Sequence, residues 1–107
     1  MAEEYSILKG VTEADLPPKG KLRWNCRRGM KELEVLLLPF LDQCYDNLPL
    51  EKKIQFVRML GFDDASLYSW FMGYETPDDA ALTLSIHEVQ YAVANLSAGE
   101  AGPHHFA

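Results

Sequence analysis

The residues whose types and spacing can do chemistry gather in one short stretch, WNCRRGMKELEVLL, from Trp24 to Leu37. It closes a basic block: Lys19, Lys21, Arg23, Arg27, Arg28 and Lys31 are six of the ten Lys and Arg, in a run without an acid. Like charges gathered in this way create a local positive potential that suits an anion or an acidic protein surface, although a solvated face reads the same way. Within the block, Arg28 brings a planar fork of donors for carboxylate, phosphate or a polarised ring oxygen. Gly29 removes the side chain at a bend, so a backbone or a flat ligand can come close. Glu32 falls in the first turn of the following helix, where it suits the dipole and can orient a neighbouring arginine or backbone N–H. The plain alternative is a helix-capping device. Trp24 is either an exposed anchor or a residue buried against the long helix.

Elsewhere the sequence offers no catalytic constellation. His104 and His105 lie near the C-terminus, and His87 has no cysteine or second histidine at ligand spacing, so no metal site is expected. Cys26 and Cys44 are too few and too far apart for a disulfide scaffold or a CxxC redox pair, and reduced thiols are expected. Neither GxGxxG nor GxxxxGK occurs, which leaves a self-contained nucleotide enzyme without support. The pairs Asp63–Asp64 and Asp78–Asp79 precede helices and read as caps rather than as acid and base partners.

These residues need elements to hold them. With 107 residues, 48% hydrophobic and 24% charged, the chain has the composition of one globular domain. Its longest apolar run, Val35 to Leu41, falls far short of the ~20 residues of a membrane span. The opening MAEEYSILKG has neither a basic region nor a long apolar one, so a cytoplasmic address is expected. The net charge of -6 opposes nucleic-acid binding, because outside the basic block four bases face sixteen acids.

Residues 1–20, with Gly10, Pro17, Pro18 and Gly20, show no period and read as a mobile arm. A short helix is expected over Leu22 to Cys26, ending in a corner at Gly29. Met30, Leu33, Leu37, Phe40, Leu41, Cys44, Tyr45 and Leu48 recur at steps of three and four and predict a long helix, kinked near Pro39. Leu50, Ile54, Val57 and Leu60 mark a third helix, Leu67, Trp70 and Phe71 a fourth that Gly73 closes, and Leu82, Ile86, Val89, Val93 and Leu96 a fifth. No period-two alternation bounded by turns appears, so the expected fold is all-α, a single-domain five-helix bundle over residues 21–97. Residues 98–107 read as a flexible tail. The expected core is Leu37, Phe40, Val57, Leu67, Trp70, Phe71, Ile86 and Val89.

At the corner the chain resembles the SdhE family of flavinylation factors, called succinate dehydrogenase assembly factor 2 in mitochondria. Its RGxxE motif is matched by Arg28, Gly29, Met30, Lys31 and Glu32, inside a wider WxCRRGMxEL that takes in Trp24, Cys26, Arg27 and Leu33. Pro39 and Phe40, Asp63 and Asp64, and LYSWFMG from Leu67 to Gly73 follow at family-like spacing. The resemblance covers about Leu22 to Leu96. It implies a five-helix assembly factor, a chaperone rather than an enzyme. Such a factor promotes covalent attachment of FAD to a histidine of the flavoprotein subunit of succinate dehydrogenase, and of fumarate reductase in some bacteria. The resemblance further implies that Arg28, Gly29 and Glu32, with Arg27 and Trp24 beside them, sit at the partner and near its flavin. The FAD belongs to the client, no tightly bound cofactor is expected, and a monomer is expected. The alternative is an antitoxin-like regulatory interaction protein that uses the same patch.

Overall fold

The structure is a computed structural model that describes residues 12–101, with side chains as far as residue 96. The described residues form five α-helices and no strand: α1 (Lys19–Asn25), α2 (Lys31–Gln43), α3 (Leu50–Met59), α4 (Asp64–Met72) and α5 (Ala80–Ala101). Two short 3-10 turns, Glu13–Asp15 and Tyr45–Asn47, stand before α1 and after α2. The all-α expectation and the five helices agree with the sequence reading.

The helix ends follow local chemistry. Asp63 caps α4 by accepting from the Ser66 N–H at 3.0 Å and the Ser66 hydroxyl at 2.8 Å, and these bonds hold its carboxyl below the usual range. Gly73 ends α4 at φ 79°, the left-handed region that only glycine enters without strain. Of the second acidic pair, Asp79 does the capping of α5, accepting from the N–H groups of Ala81 at 2.8 Å and Leu82 at 3.3 Å.

Helix α5 is the spine of the bundle and packs on α2, α3 and α4. Its stripe of Leu82, Ile86 and Val89 is buried, as the four-three spacing requires, and Val93 is half-buried against the same core. Leu22, Leu33, Leu37, Phe40, Leu41, Phe56, Met59, Leu67 and Phe71 complete the interior. Each such side chain contributes on the order of 2 kcal/mol when withdrawn from water. Phe40, Phe56 and Tyr45 form an aromatic group, with Phe56 centroids 5.1 Å from Phe40 and 5.7 Å from Tyr45.

Several expectations are corrected in detail. Val57 and Trp70 are half-buried at the edge of the core, and Phe56 and Met59 fill the positions that α3 turns inward. The four residues Leu50, Ile54, Val57 and Leu60 fit a helical period, but Phe56 and Met59 outbid Val57 because they carry more apolar surface. Helix α2 is not broken at Pro39, in keeping with the expectation that the proline would not end it. Pro39 has no N–H for the carbonyl of Val35, and that residue is 53% exposed, within reach of water. The α-helix stops at Gln43 rather than running on to Leu48, because the chain tightens there into the Tyr45–Asn47 turn. Helix α1 starts at Lys19, inside the expected arm, and the last helix runs to Ala101, inside the expected tail. Within the rest of the arm, Glu13 reaches Lys53 of α3 at 2.9 Å. Residues 1–11 and 102–107, including His104 and His105, lie outside the described residues.

The α5 cap makes stability depend on acid. Hydrogen bonding to the Arg58 guanidinium, at 2.6 Å, and then to the backbone of α5 holds the Asp79 carboxyl below its usual range. A carboxyl lowered on folding adds stability that is complete above its unfolded value, about 4, and vanishes as pH falls through the folded one. Asp79→Asn is therefore expected to be less stable than wild type at neutral pH, with the gap closing below about pH 4. Urea midpoints across that range check it; a gap that stays constant with pH would count against the charge.

Candidate functional site

The corner between α1 and α2 is built from residues that point in opposite directions. Leu22, Cys26 and Leu33 face the core and are fully buried, while Trp24 is 73% exposed. A seven-residue helix with one inward and one outward face forces this division, so Trp24 stands in solvent and is not packed against α2. After the α1 C-cap at Cys26, the chain turns at Gly29, where φ is +80°. A Cβ built on Gly29 meets no atom of the described residues within 4 Å, so glycine is needed for the turn and not for room among them. Space above Gly29 is open to whatever approaches.

The basic block divides in two. Lys19 pairs with Asp46 at 2.6 Å, Arg23 with Asp42, and Arg28 with Asp64 at 2.7 Å. The first two are surface pairs worth little to stability. Lys21, Arg27 and Lys31 are exposed, and their side chains have no hydrogen-bond or ion-pair partner among the described residues. The net positive edge therefore consists of these three, with Trp24 between Lys21 and Arg27 in sequence.

Arg28 departs from expectation. Its side chain is 13% exposed, and its fork is occupied inside the fold. Nε donates to Oδ1 of Asp64 at 2.7 Å, Nη1 to the carbonyls of Leu60 at 2.8 Å and Asn25 at 3.1 Å, and Nη2 to the carbonyl of Phe62. Rather than offering an open fork to a ligand, Arg28 ties the corner to the α3–α4 connection. The carboxylate it recognises is the protein's own.

The two acids near the start of α2 also exchange roles. Glu34 reaches back to accept the Gly29 N–H at 2.7 Å, the task expected of Glu32. Glu32 is exposed, and its carboxylate has no hydrogen-bond or ion-pair partner among the described residues. Of the five expected site residues, Trp24, Arg27, Gly29 and Glu32 thus lie on the outside of the corner and Arg28 lies beneath them. Asp64 is the residue the sequence reading missed as part of the site. One signal was present: a cap needs one carboxylate, and Asp63 already supplies it.

Cys26 belongs to the core. Its thiol contacts the Leu37 carbonyl at 3.9 Å, and burial pushes its pKa up to about 11. Both cysteines are free, and burial also raises Cys44, which is only half-buried. A maleimide at neutral pH is expected to label Cys44 well before Cys26 in the folded protein, and both alike in denaturant. Equal rates in the native state would show the corner to be open.

No described group of three or more His, Cys, Asp or Glu is arranged to hold a metal ion, and no described helix is long and apolar enough to cross a membrane. A groove of about 490 Å³ between α3 and α5, with Gln55, Ser85, His87 and Tyr91 in its lining, contains no corner residue. The corner is thus an exposed edge with a cationic and aromatic surface, suited to contact with a larger partner rather than to enclosing a substrate.

Residues 20–92 match a protein family described as the flavinator of succinate dehydrogenase. A protein of Idiomarina loihiensis named FAD assembly factor SdhE is 49% identical over 71 residues, covering 66% of this chain and 79% of that one. Proteins of the same name from Colwellia psychrerythraea and Shewanella oneidensis are each 44% identical, over 68 and 70 residues, covering 64% and 65% of this chain and 75% and 85% of theirs.

Proposed function

The chain belongs to the family of flavinators of succinate dehydrogenase, and from that premise we propose that it promotes covalent attachment of FAD to the flavoprotein subunit of that enzyme. The observation that carries the reading is the family match over residues 20–92, which takes in the whole Trp24 to Glu32 corner. The protein acts as an assembly factor in the cytoplasm, and fumarate reductase is a second client where a cell has one.

The FAD belongs to the client and supplies the ring methyl to which the client's histidine becomes joined. This chain's residues have a geometric task. Lys21, Arg27 and Lys31 attract an acidic client surface and set the orientation of approach, and Trp24 adds a large, rigid apolar contact. Gly29 lets the client come close to the backbone of the turn. Glu32 accepts a donor from the client, since none of the described residues uses it. Holding the client's domains in the arrangement that aligns histidine and ring converts a rare encounter into a standing one, and the factor leaves once that arrangement no longer needs support.

The test is flavin fluorescence of the flavoprotein subunit after denaturing electrophoresis, which removes FAD that is not covalently held. Cells lacking this gene are expected to lose the signal, and the restored gene to return it. Unchanged fluorescence in the deleted strain would end the reading and favour the regulatory interaction protein.

A further inference from the structure

We infer that Asp64 is a positioning residue for the corner, acting through Arg28, so that the client meets an edge that is already ordered. This deepens the reading above and rests on it.

The two adjacent carboxylates do separate work. Asp63 caps α4 through Ser66, so the helix start is satisfied without Asp64. Asp64 instead takes the Nε–H of Arg28, whose other bonds reach the carbonyls of Leu60, Asn25 and Phe62. The guanidinium is a flat plate with two edges. Carbonyls hold the Nη groups, and Asp64 holds the Nε side, which fixes the plate against rotation. Leu60 is the C-cap of α3, so the plate also brings a cation to the negative end of that helix.

What the plate fixes is the backbone on either side of it. Arg27 precedes Arg28 and Gly29 follows it, both exposed, in a stretch between α1 and α2 that has no helical hydrogen bonding of its own beyond the turn at Trp24. From the other side, Glu34 holds the Gly29 N–H at 2.7 Å. The corner is suspended between two carboxylates, Asp64 through Arg28 and Glu34 through Gly29. Gly29 is the softest link, because glycine enters both signs of φ readily. Remove one anchor and Arg27 and Gly29 sample many arrangements relative to Glu32 on α2, only a fraction of which fit the client. Apparent affinity then falls by that fraction, while the complex, once formed, is the same.

Kinetics of FAD attachment to the purified flavoprotein subunit separate this role from contact with the flavin. With Asp64→Ala, the factor concentration giving half the maximal rate is expected to rise about tenfold, with the rate at saturation within about twofold of wild type. Asp63→Ala loses a helix cap at the same turn but does not touch Arg28, and its half-saturating concentration is expected to stay put. A double Arg28→Ala, Asp64→Ala variant is expected to be no worse than Arg28→Ala alone, because both residues act through one plate. Amide exchange at residues 25–30 of the free protein is expected to quicken with Asp64→Ala and not with Asp63→Ala.

An unaltered half-saturating concentration with Asp64→Ala, an equal rise with Asp63→Ala, or additive losses in the double variant would each overturn the assignment and leave the proposed function standing. If Asp64→Ala does not fold, Asp64→Asn keeps an oxygen for the Nε–H and answers through the same two readouts, with a smaller rise expected and no rise overturning the assignment. A wild-type protein that fails to speed attachment at all overturns the proposed function, and this assignment with it.

Discussion

Gly29→Phe is expected to reduce FAD attachment at least tenfold while leaving the bundle folded. The position has two separate properties. Its φ of +80° imposes about 1–2 kcal/mol on any side-chain-bearing residue. Its described surroundings impose nothing, since a Cβ there meets no atom of the described residues within 4 Å. A fall of roughly 5–10 °C in Tm is therefore the whole expected cost to the free protein. The ring, however, would occupy the space that the proposed function leaves for the client, next to Arg27 in the chain. Gly29→Ala separates the two properties, because it carries the same backbone strain with little bulk. It is expected to match Gly29→Phe in Tm but to retain most of the activity. Flavin fluorescence of the client, with the Tm of each variant, checks both; normal attachment with phenylalanine would mean that nothing approaches the turn closely.

Arg28→Ala has the largest expected effect on stability. The side chain is 13% exposed and makes four hydrogen bonds, three of them to backbone carbonyls. Exposed pairs such as Lys19–Asp46 contribute a few tenths of a kcal/mol, but a charged group removed from a half-enclosed site leaves its acceptors unsatisfied. About 3 kcal/mol is expected to be lost, which for a domain of this size lowers Tm by roughly 15 °C. Arg28→Lys is expected to recover less than half of it, because an ammonium can meet Asp64 but cannot bridge that carboxylate and the carbonyls of Leu60 and Phe62 together. Calorimetric melting of the three proteins decides, and a loss under 1 kcal/mol with alanine would mean that water replaces the guanidinium easily.

The sequence made the frame of the corner legible and hid its wiring. Gly29 at a bend, a cap in the Asp63–Asp64 pair and Gly73 as a helix end were all readable, because each is a local demand met by a local residue type. The stripe Leu82, Ile86, Val89 was readable for the same reason, as a helix long enough for its period to stand out. Arg28 was recognised as a fork of donors but not as an occupied one. Three of its partners lie 32 to 36 positions away, and two of those are carbonyls that any residue could supply. Glu32 and Glu34 both sit in the first turn of α2, and no local rule tells which of them turns back toward Gly29. The face of α3 was misjudged because Val57 fits an apolar period as well as Phe56 and Met59 do. Tertiary packing, not spacing, makes that choice.

The burial of Arg28 beneath Gly29 gives two neighbouring positions different kinds of failure in the cell. A protein altered at 28 is expected to be short of stability and order, so that its steady-state amount falls with heat and recovers with cooling or with more gene copies. A protein altered by bulk at 29 loses less stability, and because the expected block is steric, neither cooling nor more copies is expected to restore its engagement with the client. Two strains that lack the same covalent flavin on a warm plate would therefore part company on a cool one: the first would grow again on succinate, and the second would not.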